Sequence, residues 1–187
     1  MKTALVVDDE PMIRRQAAET LAHYGFDEVV EAANGQEAVN LALAKRPLLI
    51  VMDVTMPVLD GISAAEKIGS QAPTPIVLLT GNADVATIER ARLAGVMSYV
   101  VKPFRSEQLL PAVDLAIHHF MEVTTLREEV AGLRDTLESR KIIEKAKGML
   151  MKKGMSEPEA YRRMQKLAMD KRKSLKEVAE AILLMEG

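Results

Sequence analysis

The chain has 187 residues, 48% of them hydrophobic, with no cysteine and a formal net charge of −2. That length fits one domain of about 120 residues with a smaller second one, and the lack of cysteine excludes disulfides and thiolate metal sites and gives no sign of an oxidising compartment. The amino terminus runs straight into an apolar strand pattern with no basic leader and no long apolar stretch, so a cytoplasmic protein without signal peptide or membrane span is expected. In chain order, an apolar run at 4–7 ends in Asp8-Asp9 and is followed by helical periodicity over 11–24. A weaker run at 28–32 and the turn Asn34-Gly35 precede a helical pattern at 35–46. The run 48–52 ends in Asp53, and Asp60-Gly61 opens a helical pattern at 60–69. The run 76–79 ends in Thr80, with the turn Gly81-Asn82 and a helical pattern at 84–94 after it, and the run 98–101 ends in Lys102 before a helical pattern at 106–119.

Short, continuous apolar runs alternating with helices describe a parallel sheet buried on both faces, with helices on both sides. In such sheets ligands bind beyond the carboxyl ends of the strands, where the strand order reverses. Asp8, Asp9, Asp53, Thr80 and Lys102 all stand at that end. Any single aspartate there is ordinary, because aspartate often follows a strand as a turn former or helix cap. Three together repel one another unless a cation sits among them. Hard oxygen ligands without histidine or cysteine favour Mg²⁺, which takes part of its shell from water and phosphate. Asp53 is the candidate to attack phosphorus, since it stands alone while Asp8 and Asp9 are adjacent and suited to holding metal. Lys102 can neutralise the transferring oxygens, and the Thr80 hydroxyl can donate a hydrogen bond to the product.

The segments Val6-Val7-Asp8-Asp9-Glu10-Pro11, Met52-Asp53-Val54-Thr55-Met56-Pro57 with Asp60-Gly61, Leu79-Thr80-Gly81 and Tyr99-Val100-Val101-Lys102-Pro103-Phe104 stand in order. Over residues 1–120 the chain resembles the receiver domain of two-component response regulators. The resemblance implies a flavodoxin-like, CheY-like doubly wound sheet of five parallel strands, with Asp53 accepting a phosphoryl group from a sensor histidine kinase and losing it by autodephosphorylation, so that the chain is no enzyme toward a separate substrate. It implies Mg²⁺ held by Asp9, Asp53 and the backbone carbonyl of Thr55, with Asp8 acting through metal-bound water. Thr80 and Tyr99 would form the switch, the hydroxyl drawn to the phosphate and the ring turning inward behind it; an aromatic on a terminal strand is otherwise plain packing. Lys102-Pro103 would be a cis peptide that aims the lysine. Thr55 and Asn82 lie where the family tunes phosphate lifetime.

The net charge hides an asymmetry: residues 1–136 hold 12 Lys+Arg against 19 Asp+Glu, a net of −7, and residues 137–187 hold 13 against 8, a net of +5. Two jobs are suggested, although basic residues also simply solvate helix faces. From Ala112 a heptad can be traced through Ala116, Val123, Val130 and Leu137 at a, and Ala112, His119, Leu126 and Leu133 at d, so residues 112–140 read as a helical linker and candidate coiled coil. His119 interrupts the seam, Gly132 weakens the helix and Arg140 occupies the next d position. The helix is expected to run on through Ile142, Ala146 and Leu150 to a stop near Gly154. Capping boxes at Ser156 to Glu159 and Ser174 to Glu177 start two more helices, which completes a small three-helix bundle.

Glu138 to Met151, Ser156 to Met169, and Lys171-Arg172-Lys173-Ser174-Leu175 with Val178, Ala179 and Ile182 resemble the ANTAR domain, over residues 137–187. This is the RNA-binding output module of antiterminators of the AmiR and NasR type. The resemblance implies homodimerisation on phosphorylation and binding of structured RNA, paired stem-loops near a terminator. Basic residues gather at Arg140, Lys141, Lys145 and Lys147, at Arg162, Arg163 and Lys166, and at Lys171, Arg172 and Lys173. Such a surface suits a folded RNA backbone, with Tyr161 either stacking a loop base or packing in the core. A DNA-binding transcription factor is the alternative, but the last helix offers Lys176, Glu177 and Glu180, which suits a major groove poorly.

Overall fold

A computed structural model describes residues 1–81 and 84–186. The chain divides into two compact units, Met1–Thr124 and Thr125–Gly187. In the first, strands β1 (Thr3–Val7), β2 (Glu28–Ala32), β3 (Leu49–Asp53), β4 (Ile76–Thr80) and β5 (Ser98–Val101) alternate with helices α1 (Pro11–Tyr24), α2 (Gly35–Lys45), α3 (Gly61–Gln71), α4 (Val85–Leu93) and the start of α5 (Ser106–Lys152). The strands form one parallel sheet in the order β2-β1-β3-β4-β5. This is the parallel sheet with helices on both faces expected from the alternating pattern, in the doubly wound, CheY-like form that the receiver resemblance implies.

The three inner strands are buried along their whole length, which explains why their sequences read as unbroken apolar runs. One face packs Leu5, Ile50 and Leu78 against Val39, Ile62 and Ile68 from α2 and α3. The other packs Val6, Val51 and Leu79 against Leu21 of α1 and Leu109 and Val113 of α5. Each of these large side chains stabilises the fold by about 1.5–3 kcal/mol, so truncation of Ile50 to alanine costs about 2–5 kcal/mol. Helix starts follow local chemistry. Asn34 accepts from the Glu37 N–H at 3.0 Å, Asp60 from the Ile62 and Ser63 N–H groups at 3.1 Å each, and Asp84 from the Thr87 N–H at 2.9 Å.

The second unit holds the rest of α5 with α6 (Glu157–Lys171) and α7 (Leu175–Glu186). Ala146 and Leu150 of α5, Ala160 and Met164 of α6, and Val178 and Ala179 of α7 form its core. At its helix starts, Glu159 accepts from the Ser156 N–H and hydroxyl at 2.8 and 2.6 Å, and Glu177 from the same Ser174 groups at 2.8 and 3.0 Å. Gly132 does not interrupt α5. One expectation needs correction. Ala116 is fully buried and Ala112 partly buried against the first unit's core, so the start of the traced heptad serves intramolecular packing. Leu126, Val130, Leu133 and Leu137 do form an exposed stripe, each 47–65% accessible. Among the described residues no helix is long and apolar enough to cross a membrane.

Candidate functional site

Sheet register builds the acidic pocket. Val7 of β1 lies opposite Met52 of β3, so the next residues along, Asp8 and Asp53, leave the sheet side by side at the point where strand order reverses. Thr80 of β4 pairs with Val101 of β5, and the Lys102 N–H continues the ladder to the Thr80 carbonyl at 2.8 Å. Asp8, Asp53 and Thr80 are all buried, while Asp9 is exposed at the rim.

The Lys102 ammonium lies 2.7 Å from Asp8 Oδ2, 2.8 Å from Asp53 Oδ1 and 3.8 Å from Glu10 Oε1. Asp8 Oδ1 accepts from the Glu10 N–H at 2.9 Å, and Asp53 Oδ2 from the Thr55 N–H at 3.1 Å. Burial pushes the Asp53 carboxyl up and the Asp8 charge adds to it, outweighing the Lys102 hydrogen bond and charge and the Thr55 N–H. Burial alone would lower Lys102, but the Asp53 and Asp8 carboxylates beside it raise it above the ordinary lysine value. One ammonium thus faces two buried carboxylates and a third at the rim.

A divalent cation fits this donor set. Asp8, Asp9 and Asp53 each offer an oxygen, all within 4.8 Å of one another. Asp8 Oδ2 is buried and meets Lys102 as an ion pair without the alignment of a hydrogen bond, which leaves it under-satisfied among the described residues. A hard cation would complete its shell. Thr55 lies two residues past Asp53 in the loop after β3, and Asn82 lies outside the described residues. Tyr99 is 45% exposed on β5, and Lys102-Pro103 is cis.

Two residues of the site carry no signal in the sequence. Arg14 of α1 donates from Nη1 to the backbone carbonyls of Asp8 at 2.6 Å and Asp9 at 3.3 Å, while its Nε meets Glu31 of β2 at 3.2 Å. It fixes the backbone of both acidic residues, a role visible only once α1 folds back over the loop. Gln16 donates to the Phe104 carbonyl at 3.0 Å and anchors the segment after Lys102.

In the second unit Arg140, Lys141, Lys145, Arg162, Arg163, Lys166, Lys171, Arg172 and Lys173 are exposed. Lys141, Lys145, Arg163 and Lys166 pair with no carboxylate among the described residues. Lys147 is the exception and corrects the expected set. Its side chain is only 11% exposed and bonds Glu157 at 2.7 Å and Glu144 at 2.8 Å, so it holds α6 to α5. Tyr161 is 40% exposed and is not part of the core.

Residues 4–114 match the response regulator receiver domain and residues 131–183 match the ANTAR domain. The chain therefore belongs to the response regulators, with a receiver followed by an ANTAR domain. It is similar to the transcriptional regulatory protein PdtaR of Mycobacterium tuberculosis, 48% identical over 183 residues that span 97% of this chain and 89% of that protein. The regulatory protein AtoC of Escherichia coli is 34% identical over 134 residues, 71% of this chain and 28% of that one. The chemotaxis response regulator CheY4 of Vibrio cholerae has a solved structure with a TM-score of 0.58 and 34% identity, covering 62% of this chain and 98% of that chain.

Proposed function

We propose that the chain is a phosphorylation-controlled response regulator whose C-terminal unit binds paired RNA stem-loops and prevents transcription termination. The observation that carries this reading is the conjunction, in one chain, of a complete acidic pocket around Lys102 and an ANTAR domain with an exposed basic surface. The similarity to a transcriptional regulatory protein over nearly the whole chain supports it.

In the proposed reaction an Asp53 carboxylate oxygen attacks the phosphorus of a phosphohistidine on a sensor histidine kinase. The O–P bond forms as the P–N bond breaks, and the histidine nitrogen leaves with the electron pair. Bound Mg²⁺ would neutralise the phosphoryl oxygens, held by Asp9, Asp53 and the Thr55 carbonyl, with Asp8 acting through its water. Lys102, already within 2.8 Å of Asp53, transfers its attraction to the new phosphoryl oxygens. Thr80 then donates its hydroxyl to one of them. The space behind Thr80, lined by Ile88 and Ala91 of α4 and by Tyr99, is a cavity of only about 10 Å³. That space is smaller than a phenol ring, so an inward turn of Tyr99 would follow the movement of Thr80 and press on α4. That movement couples the pocket to an outer face, from which homodimerisation through the exposed α5 stripe would present two RNA-binding units together.

Binding to stem-loop RNA and to duplex DNA, with and without a small acyl-phosphate donor and Mg²⁺, tests the proposal. Tighter RNA binding on phosphorylation, lost in Asp53→Ala, is expected. Equal RNA affinity for both proteins sinks the gating, and a preference for duplex DNA favours a DNA-binding transcription factor.

A further inference from the structure

At the opposite end of the sheet from Asp53 the first unit contains a cavity of about 590 Å³. This lies within the roughly 300–1,000 Å³ of small-molecule sites, and the phosphoryl chemistry makes no use of it. Its wall is largely apolar. Tyr24 and Phe26 stack with ring centroids 6.1 Å apart, Pro47, Pro73 and Pro75 stiffen the rim, and Ile117, Phe120 and Met121 of α5 close one side.

The wall is preorganised. The Tyr24 hydroxyl donates to the Asp114 carboxylate and ties the stacked pair to α5. The rim segments are pinned to one another by Leu48 N–H to the Thr3 carbonyl at 2.8 Å, Asp27 N–H to the Lys2 carbonyl at 2.8 Å and Ile50 N–H to the Pro75 carbonyl at 2.9 Å. With these backbone groups already bonded, recognition of a polar ligand group falls to side chains. Two are cationic, Lys2 and Arg46, and neither forms an ion pair among the described residues. An apolar chamber with two uncommitted cations selects for an apolar body carrying a negative head.

We infer that this cavity binds an amphipathic anion, a small molecule with an apolar tail and a carboxylate-type head held by Lys2 and Arg46. Because one wall belongs to α5 shortly before Thr124, such a ligand restrains the helix that continues to Lys152. It would act as a second input, independent of Asp53.

The test uses the full chain and decanoate below its micelle-forming concentration, titrated by calorimetry, with decyltrimethylammonium as a probe of equal tail and opposite charge. Saturable one-to-one binding of decanoate is expected, at least roughly tenfold weaker in the double variant K2Q/R46Q, with no saturable binding of the cation. Amide chemical shifts on decanoate addition are expected to concentrate at Ala72, Ile117 and Phe120. Absence of saturable binding, equal affinity for the double variant, equal affinity for the cation, or shifts confined to the Leu126 to Leu137 stripe would each overturn the assignment. Both substituted residues are exposed and lie outside the two cores, so an unfolded variant is not expected.

Discussion

Gly61 opens α3 where an added Cβ would stand 2.0 Å from the Asp53 carbonyl oxygen, 2.9 Å from its carbonyl carbon and 3.2 Å from Val54 Cα. All three are backbone atoms, so no side chain can swing aside. Tolerable contacts begin near 3.0 Å, so Gly61→Ala forces the end of β3 and the start of α3 apart by about 1 Å and pulls on the Gly61 N–H bond to the Val54 carbonyl. Overpacking of this kind costs about 1–3 kcal/mol. In a chain of this length each kcal/mol moves Tm by roughly 2–4 °C, so a fall of roughly 2–12 °C is expected. A displacement of about 1 Å at a reacting group can slow a reaction by about 100-fold, and phosphorylation of Asp53 by a small acyl-phosphate donor is expected to slow by one to two orders of magnitude. Gly69→Ala is the internal control. It lies in the same helix, and its added Cβ would find its nearest neighbour at 3.9 Å, so the change gains about 0.5–1 kcal/mol of helix preference and raises Tm. Calorimetric melting of both variants checks the reasoning. If Gly61→Ala melts at or above wild type, or if the two substitutions shift Tm in the same direction, the close approach does not govern this junction.

Asp53→Asn is expected to stabilise the metal-free protein at neutral pH. The folded carboxyl is raised above its ordinary 3.8, so its stabilising contribution is present below that value and lost as pH rises through the raised one. Urea midpoints of the two proteins should therefore converge as pH falls toward 3.8, and Mg²⁺ should restabilise wild type alone; a gap that widens on acidification contradicts the reading. Arg14→Met removes the donor to the Asp8 and Asp9 carbonyls and is expected to weaken Mg²⁺ binding by calorimetry at least tenfold, an effect that an unchanged affinity would refute. In the second unit, Lys147→Met is expected to lower thermal stability, while Arg163→Ala leaves stability within about 0.5 kcal/mol but weakens RNA binding and reduces its salt dependence by about 0.7–1 in log–log slope. Equal melting of the two variants would return Lys147 to the RNA-facing set.

The sheet was legible because its inner strands are covered on both faces and so had to be written as unbroken apolar runs. The pocket was legible for a related reason. Polar residues at strand ends are those such a sheet brings together, and register then does the rest, as with Asp8 and Asp53. What stayed hidden depends on contacts between distant segments. Arg14 reads as one more exposed helix cation until its reach to two backbone carbonyls is seen. Lys147 reads as part of a basic cluster, although its (i, i+3) spacing from Glu144 hints at a pair; Glu157, the partner across the helix turn, leaves no local trace. Val58 is a case of a rule broken locally. It takes φ 69° in the loop after β3, a region that β-branched residues avoid and that turn chemistry would assign to glycine or asparagine.

The exposed stripe on α5 also explains why the proposed dimer would be switchable. Leu126, Val130, Leu133 and Leu137 are each about half accessible. Burying the remaining half of four side chains on each of two helices would yield roughly 6–12 kcal/mol. Association itself costs about 4–15 kcal/mol, so the two nearly cancel. Ala112 and Ala116 are committed to the receiver core and cannot lengthen the seam on one side, and Arg140 limits it on the other. With the two terms this close, one further contact face would decide whether the seam holds. A phosphorylation-dependent change at α4 and β5 is the kind of contribution that would tip such a balance, whereas a longer, uninterrupted seam would dimerise constitutively and leave Asp53 nothing to control.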